Sequence, residues 1–80
     1  MFFVYILKSI SHLKFYTGHT DNLVRRLKEH NEGKGFYSKR YIPWKVVYHE
    51  TFDHETDAIK REKYFKSAAG RRWLKKNVNT

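Results

Sequence analysis

The sequence predicts an α+β domain in which short strands and helices take turns along the chain, and three observations carry that expectation. The run Phe2-Phe3-Val4-Tyr5-Ile6-Leu7 is apolar, β-branched and aromatic, and too short for a helix. The stretch from Trp44 to Phe52 alternates with a period of two. Between and after these lie two segments with apolar residues at helical spacing, each preceded by capping residues and followed by a glycine.

The first run reads as a central strand covered on both faces, because an unbroken apolar strand has no side to give to water. Ser9, Ser11 and His12 form a turn, and Phe15-Tyr16-Thr17-Gly18 reads as a second strand in a hairpin with the first, ended by Gly18. Thr20 or Asp21 caps a helix running to about Asn31, with Leu23, Leu27 and His30 on one stripe and Gly33 in the left-handed terminating position. Lys34 to Pro43 is basic and aromatic without clean periodicity, and reads as a loop or an irregular short helix. A third strand begins after Pro43, with Trp44, Val46, Tyr48, Glu50 and Phe52 alternating against Lys45, Val47, His49 and Thr51. Asp53 then caps a second helix, with Glu55 and Asp57 in its first turn and Gly70 ending it after Ala69. The basic turn Arg71 to Lys76 folds Trp73 and Leu74 back onto the body.

Eighty residues, 40% of them hydrophobic, suffice for one modest core, so a single domain over residues 1–80 is expected. The apolar start ends at Lys8, and no run approaches the roughly 20 apolar residues of a membrane span. The expectation is a soluble, cytoplasmic protein without membrane contact, and the absence of cysteine excludes disulfides and thiolate metal sites. Seventeen Lys and Arg against eight Asp and Glu favour a polyanionic partner, nucleic acid first, and aromatic rings among the cations suit base stacking. Lys39, Arg40, Arg71 and Arg72 are the expected nucleic-acid contacts.

Two local anomalies point to chemistry. On the second helix the stripe Ala58, Glu62, Phe65, Ala69 is apolar except for one carboxylate, which must meet a cation, a hydrogen-bond donor or a metal. An ion pair with a neighbouring Lys or Arg and a metal-ligand role both satisfy it. On the first helix Arg26 and His30 border the buried stripe, whereas Arg25 points elsewhere. Arg26 is either a solvated helix charge or a phosphate clamp whose planar guanidinium fits a phosphodiester. Tyr5 and Tyr16, on the two hairpin strands, are by residue type core rings with hydroxyls near the surface. The five histidines show no paired zinc spacing.

Taken in order, Val4-Tyr5-Ile6, Tyr16-Thr17-Gly18, Asp21-Asn22-Leu23-x-x-Arg26-Leu27-x-x-His30-Asn31, Pro43-Trp44-x-Val46-Val47-Tyr48 and Arg61-Glu62-Lys63 resemble the GIY-YIG endonuclease superfamily, in particular its small stand-alone bacterial members. The spellings Phe3-Val4-Tyr5 and Tyr16-Thr17-Gly18 depart from the eponymous ones but keep both tyrosines and the second glycine. The resemblance implies a small three-stranded antiparallel sheet flanked by helices, in the order β-β-α-β-α-α. It also implies hydrolysis of DNA phosphodiesters, with Glu62 holding Mg²⁺ or Mn²⁺, Arg26 stabilising the phosphate, and Tyr5 or Tyr16 helping to deprotonate water. His30 matches the aromatic or histidine one turn after the arginine, placed to orient water or contact phosphate. A phenol titrating near 10 is a poor base at neutral pH, so a nearby cation is expected to lower it. Structure-specific cutting of branched, damaged or single-stranded-junction DNA in repair or recombination is the expected role. No separate DNA-selecting domain accompanies the core, so activity is expected to be weak or to need a protein partner. The alternative is a noncatalytic DNA- or RNA-binding module on the same fold.

Overall fold

The computed structural model describes residues 1–78. Two strands, β1 (Phe2–Ser9) and β2 (Phe15–Thr20), are followed by helix α1 (Leu23–Asn31), a 3-10 helix at Ser38–Tyr41, strand β3 (Trp44–Phe52), and helices α2 (Glu55–Lys66) and α3 (Ala68–Asn77). The expected α+β order is therefore observed, and the sheet is antiparallel throughout in the order β2-β1-β3. Central β1 buries Val4, Tyr5, Ile6 and Leu7, as an unbroken apolar strand requires.

Alternation along β1 sends these side chains to two cores. Val4 and Ile6 meet Ala58 and Phe65 of α2, with Trp73 and Leu74 of α3 packed against them. Tyr5 and Leu7 meet Trp44, with Leu23 and Leu27 of α1, Tyr16 and Tyr41 around them. Each fully buried large apolar side chain stabilises the fold by about 1.5–3 kcal/mol.

Strand β3 departs from the simple alternation in one respect. Ile6 pairs with Tyr48 but Leu7 pairs with Val46, so Val47 is an extra residue, a β-bulge. The bulge changes the face of the strand midway: Trp44 and Val46 join the α1 core, and Tyr48 and Phe52 join the α2 core. A period-two reading places all of them on one side.

Four expected boundaries move. Strand β2 passes through Gly18 to Thr20, and Asn22 caps α1 by accepting a hydrogen bond from the Arg25 N–H, in place of Thr20 or Asp21. His54, not Asp53, precedes α2. Gly70 lies inside α3 and does not end α2, which stops at Lys66. Ser67 separates the two helices and accepts from the Gly70 N–H. The reason Gly70 is glycine is a close approach, since a Cβ there would strike the Tyr64 carbonyl oxygen and stand 2.6 Å from the Phe65 Cα. Gly33, at φ +81°, does take the left-handed position after α1. No helix among the described residues is long and apolar enough to cross a membrane.

Candidate active site

The exposed edge of β2 gathers residues from both sides of the sheet. Tyr5 stands on the α1 side of β1, directly across from Gly18. A Cβ on Gly18 would lie 2.6 Å from the Tyr5 hydroxyl and 2.8 Å from its Cζ, so the missing side chain is what lets the phenol cross β2 toward the edge. Tyr16 lies alongside, its ring 6.3 Å from that of Tyr5 and 4.6 Å from His30.

Arg26, from α1, is half-buried and donates to Glu29 at 3.0 Å. Its guanidinium also lies close enough to the Tyr5 hydroxyl for each to shift the other's pKa. Burial alone would weaken its charged form, but the interactions with Tyr5 and Glu29 outweigh that and raise its pKa further. Arg25 pairs with Asp21 at 2.9 Å, away from the site as expected.

His30 has no exposed surface. Its Nε2 is 3.1 Å from the Tyr5 hydroxyl and its Nδ1 2.7 Å from Ser38 Oγ. A neutral ring carries one proton, so it donates in one of these two contacts and accepts in the other. Burial, then the Arg26 charge, press the His30 pKa down to about 4, so the ring is neutral at pH 7. A fully enclosed ring with both nitrogens engaged touches neither water nor phosphate directly, which corrects that expectation. Its one contact toward the β2 edge is with the Tyr5 hydroxyl.

The Tyr5 phenol also differs from expectation. Burial pushes its pKa up to about 12, although Arg26 pulls the other way. The cation is present, but desolvation wins.

Glu62 comes to the same edge from α2, on the opposite side of the sheet. Its carboxylate bonds Lys66 Nζ at 2.6 Å and His19 Nδ1 of β2. Burial raises its pKa, yet these two partners outweigh burial and hold it below the ordinary glutamate value. The Glu62 charge is close enough to be felt at the Tyr5 hydroxyl, so the two sides of the sheet meet electrostatically at the edge.

Among the described residues no three His, Cys, Asp or Glu side chains gather into a metal cage. One ionised carboxylate is nonetheless a fitting donor for a small hard cation, which keeps waters and takes its remaining ligands from substrate phosphates. The Lys66 ammonium held against Glu62 shows that this carboxylate can pair with a cation.

The nucleic-acid contacts expected from sequence divide between two surfaces. Lys39 and Arg40 are exposed on the 3-10 helix of the α1 side, whereas Arg71 and Arg72 are exposed on α3. Three participants escaped the sequence reading. His19 lay beyond the assumed end of β2, Glu29 reads as an ordinary helix carboxylate, and Ser38 sits in an aperiodic loop. Phe15, Thr17 and His19 at alternate positions are the signal that would have exposed His19.

The GIY-YIG catalytic domain family model matches residues 1–77 of the sequence. This chain belongs to the GIY-YIG family. Its relatives include a UPF0213 protein of Pediococcus pentosaceus, 36% identical over 95% of this chain and 83% of the relative. A UPF0213 protein of Clostridium perfringens is 45% identical over 82% of this chain and 71% of the relative. Among solved structures, the solution NMR structure of a UPF0213 protein from Bacillus halodurans is similar with a TM-score of 0.54 and 32% identity, covering 92% of this chain and 82% of that one. In this GIY-YIG protein Tyr5, Tyr16 and His30 stand in one ring cluster beside Arg26, and Glu62 reaches the same strand from the other side of the sheet through His19.

Proposed function

We propose that this GIY-YIG protein is a divalent-metal-dependent endonuclease that hydrolyses DNA phosphodiesters at the edge of β2, cutting branched, damaged or junction DNA in repair or recombination within the cytoplasm. The observation that carries the reading is the convergence of an arginine and a deprotonated glutamate at the edge of β2, with a buried, hydrogen-bonded tyrosine–histidine pair behind them.

In this mechanism Glu62 would hold Mg²⁺ or Mn²⁺ in place of its contacts with Lys66 and His19, and the chemistry so supplied would be Lewis-acid stabilisation of the phosphate. Arg26, held by Glu29 beside the Tyr5 hydroxyl, presents its remaining N–H groups to the phosphodiester and offsets the charge that develops there. A phenol titrating near 12 is not a phenolate at neutral pH, so Tyr5 serves as a relay. With His30 Nε2 unprotonated, Tyr5 would take a proton from the attacking water as that oxygen bonds to phosphorus, while its own proton shifts toward His30. Because burial and the Arg26 charge disfavour the imidazolium, the proton would return through Tyr5 to solvent, and the leaving oxygen would take a proton from water as the P–O bond breaks. Tyr16 supports the geometry by packing on His30, and it is the other candidate for contact with water. Lys39, Arg40, Arg71 and Arg72 hold the DNA backbone.

One observation favours a second reading. Glu62 is already satisfied by Lys66 and His19, which is also how a purely structural carboxylate behaves, and a noncatalytic DNA- or RNA-binding module would keep such a pair.

Cleavage of labelled single-stranded, duplex, flap and four-way-junction DNA with Mg²⁺ or Mn²⁺ decides between them. The nuclease reading expects cutting that Glu62→Ala and Arg26→Ala abolish without unfolding the chain, and Glu62→Ala should largely keep DNA affinity. DNA binding without cutting at any metal concentration, and indifference to Glu62→Ala, would establish the binding module.

A further inference from the structure

A groove of about 710 Å³ opens on the α2 side of the sheet, between the start of β2 and helix α3. This is within the ~300–1,000 Å³ of ligand clefts generally. Its apolar wall includes Ile6, Leu13, Phe15, Leu74 and Val78, and its cations are Lys8, Lys66, Arg71 and Lys75. No carboxylate lines it among the described residues. Leu13 is 86% exposed and Phe15 44% exposed, an unusual presentation of apolar surface beside so many charges.

We infer that this groove receives an unpaired stretch of DNA strand leading to the β2 edge, an assignment that rests on the nuclease reading and names its substrate class as DNA with a single-stranded flank. Charge complementarity supports a polyanion, and the apolar wall selects which one. A duplex turns phosphates outward and stacks its bases inside, so it offers nothing to Leu13 and Phe15. An unpaired strand presents base faces and phosphates together, matching a wall of apolar side chains rimmed by cations. The groove is also continuous with the proposed active site: Lys66 lines it and bonds Glu62, and Tyr16 lines it from the strand that carries Gly18 and His19. Arg71 and Arg72, equivalent in sequence, are thereby separated, since Arg71 lines the groove and Arg72 does not.

The test is anisotropy of a fluorescein-labelled blunt duplex, the same duplex with a thymidine overhang of about ten nucleotides, and one with an abasic overhang, all with the full chain in EDTA. The overhang should bind at least tenfold more tightly than the blunt duplex. Arg71→Gln with Lys75→Gln, both exposed positions, should bring that preference close to unity and flatten the salt slope by about 1.4, two phosphates at about 0.7 each. Leu13→Ser or Phe15→Leu should lower the thymidine overhang toward the abasic one, about tenfold at most, while circular dichroism stays unchanged. Equal affinity for blunt and overhang DNA, or a preference that survives the double variant, overturns the inference. So does an acidic amphipathic peptide that binds with the same variant sensitivity while the overhang gains nothing, which would assign the groove to a protein. Cutting is not read in this assay, so overhang preference without nuclease activity defeats the catalytic reading and leaves the groove standing.

Discussion

Lowering the pH should destabilise the chain through His30 in particular, by an amount that follows from its surroundings. The ring is enclosed between Tyr5 and Ser38, with the Arg26 charge disfavouring protonation, Glu29 favouring it, and the Tyr16 ring against one face. Its folded pKa of about 4 lies below the unfolded value of 6.5, so the unfolded chain binds more protons in the window between them. Stability is therefore fully present above pH 6.5 and is lost as pH falls toward 4. At about 1.4 kcal/mol per unit the complete loss is roughly 3 kcal/mol, of which about 2 kcal/mol has gone by pH 4.5. Carboxylates such as Glu50 and Glu62 have lowered pKa values and lose stability in the same direction, so the wild-type slope alone is not diagnostic. Urea unfolding at pH 7 and pH 4.5 should be compared with His30→Gln, whose amide is polar and does not titrate. The variant should be less stable at pH 7 and lose about 2 kcal/mol less than wild type between the two pH values. Parallel losses in both proteins would refute the assignment of His30 as a neutral, buried ring.

Three substitutions test other contacts. Gly18→Ala places a methyl 2.6 Å from the Tyr5 hydroxyl and should cost about 1–3 kcal/mol in urea, with a smaller cost in a Tyr5→Phe background because the oxygen is gone. Gly70→Ala would gain about 1 kcal/mol by helix propensity alone, yet the new Cβ meets the backbone of Tyr64 and Phe65. A net loss of stability with changed Trp73 fluorescence is expected, and a gain would show that α3 does not sit this close. Glu50 accepts from Arg61 at 2.8 Å and from Tyr48, while the guanidinium covers Phe65 and Trp73. Glu50→Gln should therefore cost about 1.5–3 kcal/mol by chemical denaturation, and Glu50 should titrate below the usual glutamate range by NMR.

The parts of the fold legible in sequence were those fixed by local chemistry. An unbroken apolar strand has to be central, a glycine after a capped amphipathic helix takes the left-handed turn, and a carboxylate on an apolar stripe has to find a partner. What sequence concealed were relations between distant segments. The Val47 bulge is set by how β3 registers on β1, and no period in β3 alone announces that Val46 and Tyr48 face opposite cores. Gly18 and Gly70 look like punctuation in sequence, but each marks a place where another part of the chain comes too close for a methyl group. The site shows the same division. Arg26 and Glu62 stood out because a charge beside an apolar stripe is locally anomalous, whereas His19 and Ser38 matter only through the partners that folding brings to them. Tyr5 gives the clearest case of competing magnitudes, because the neighbouring cation that sequence reasoning required is present and burial still prevails. A buried phenol coupled to a neutral imidazole stays protonated at rest and can move a proton only as another arrives. The proposed chemistry therefore waits for substrate and metal at the β2 edge before the pair has anything to relay.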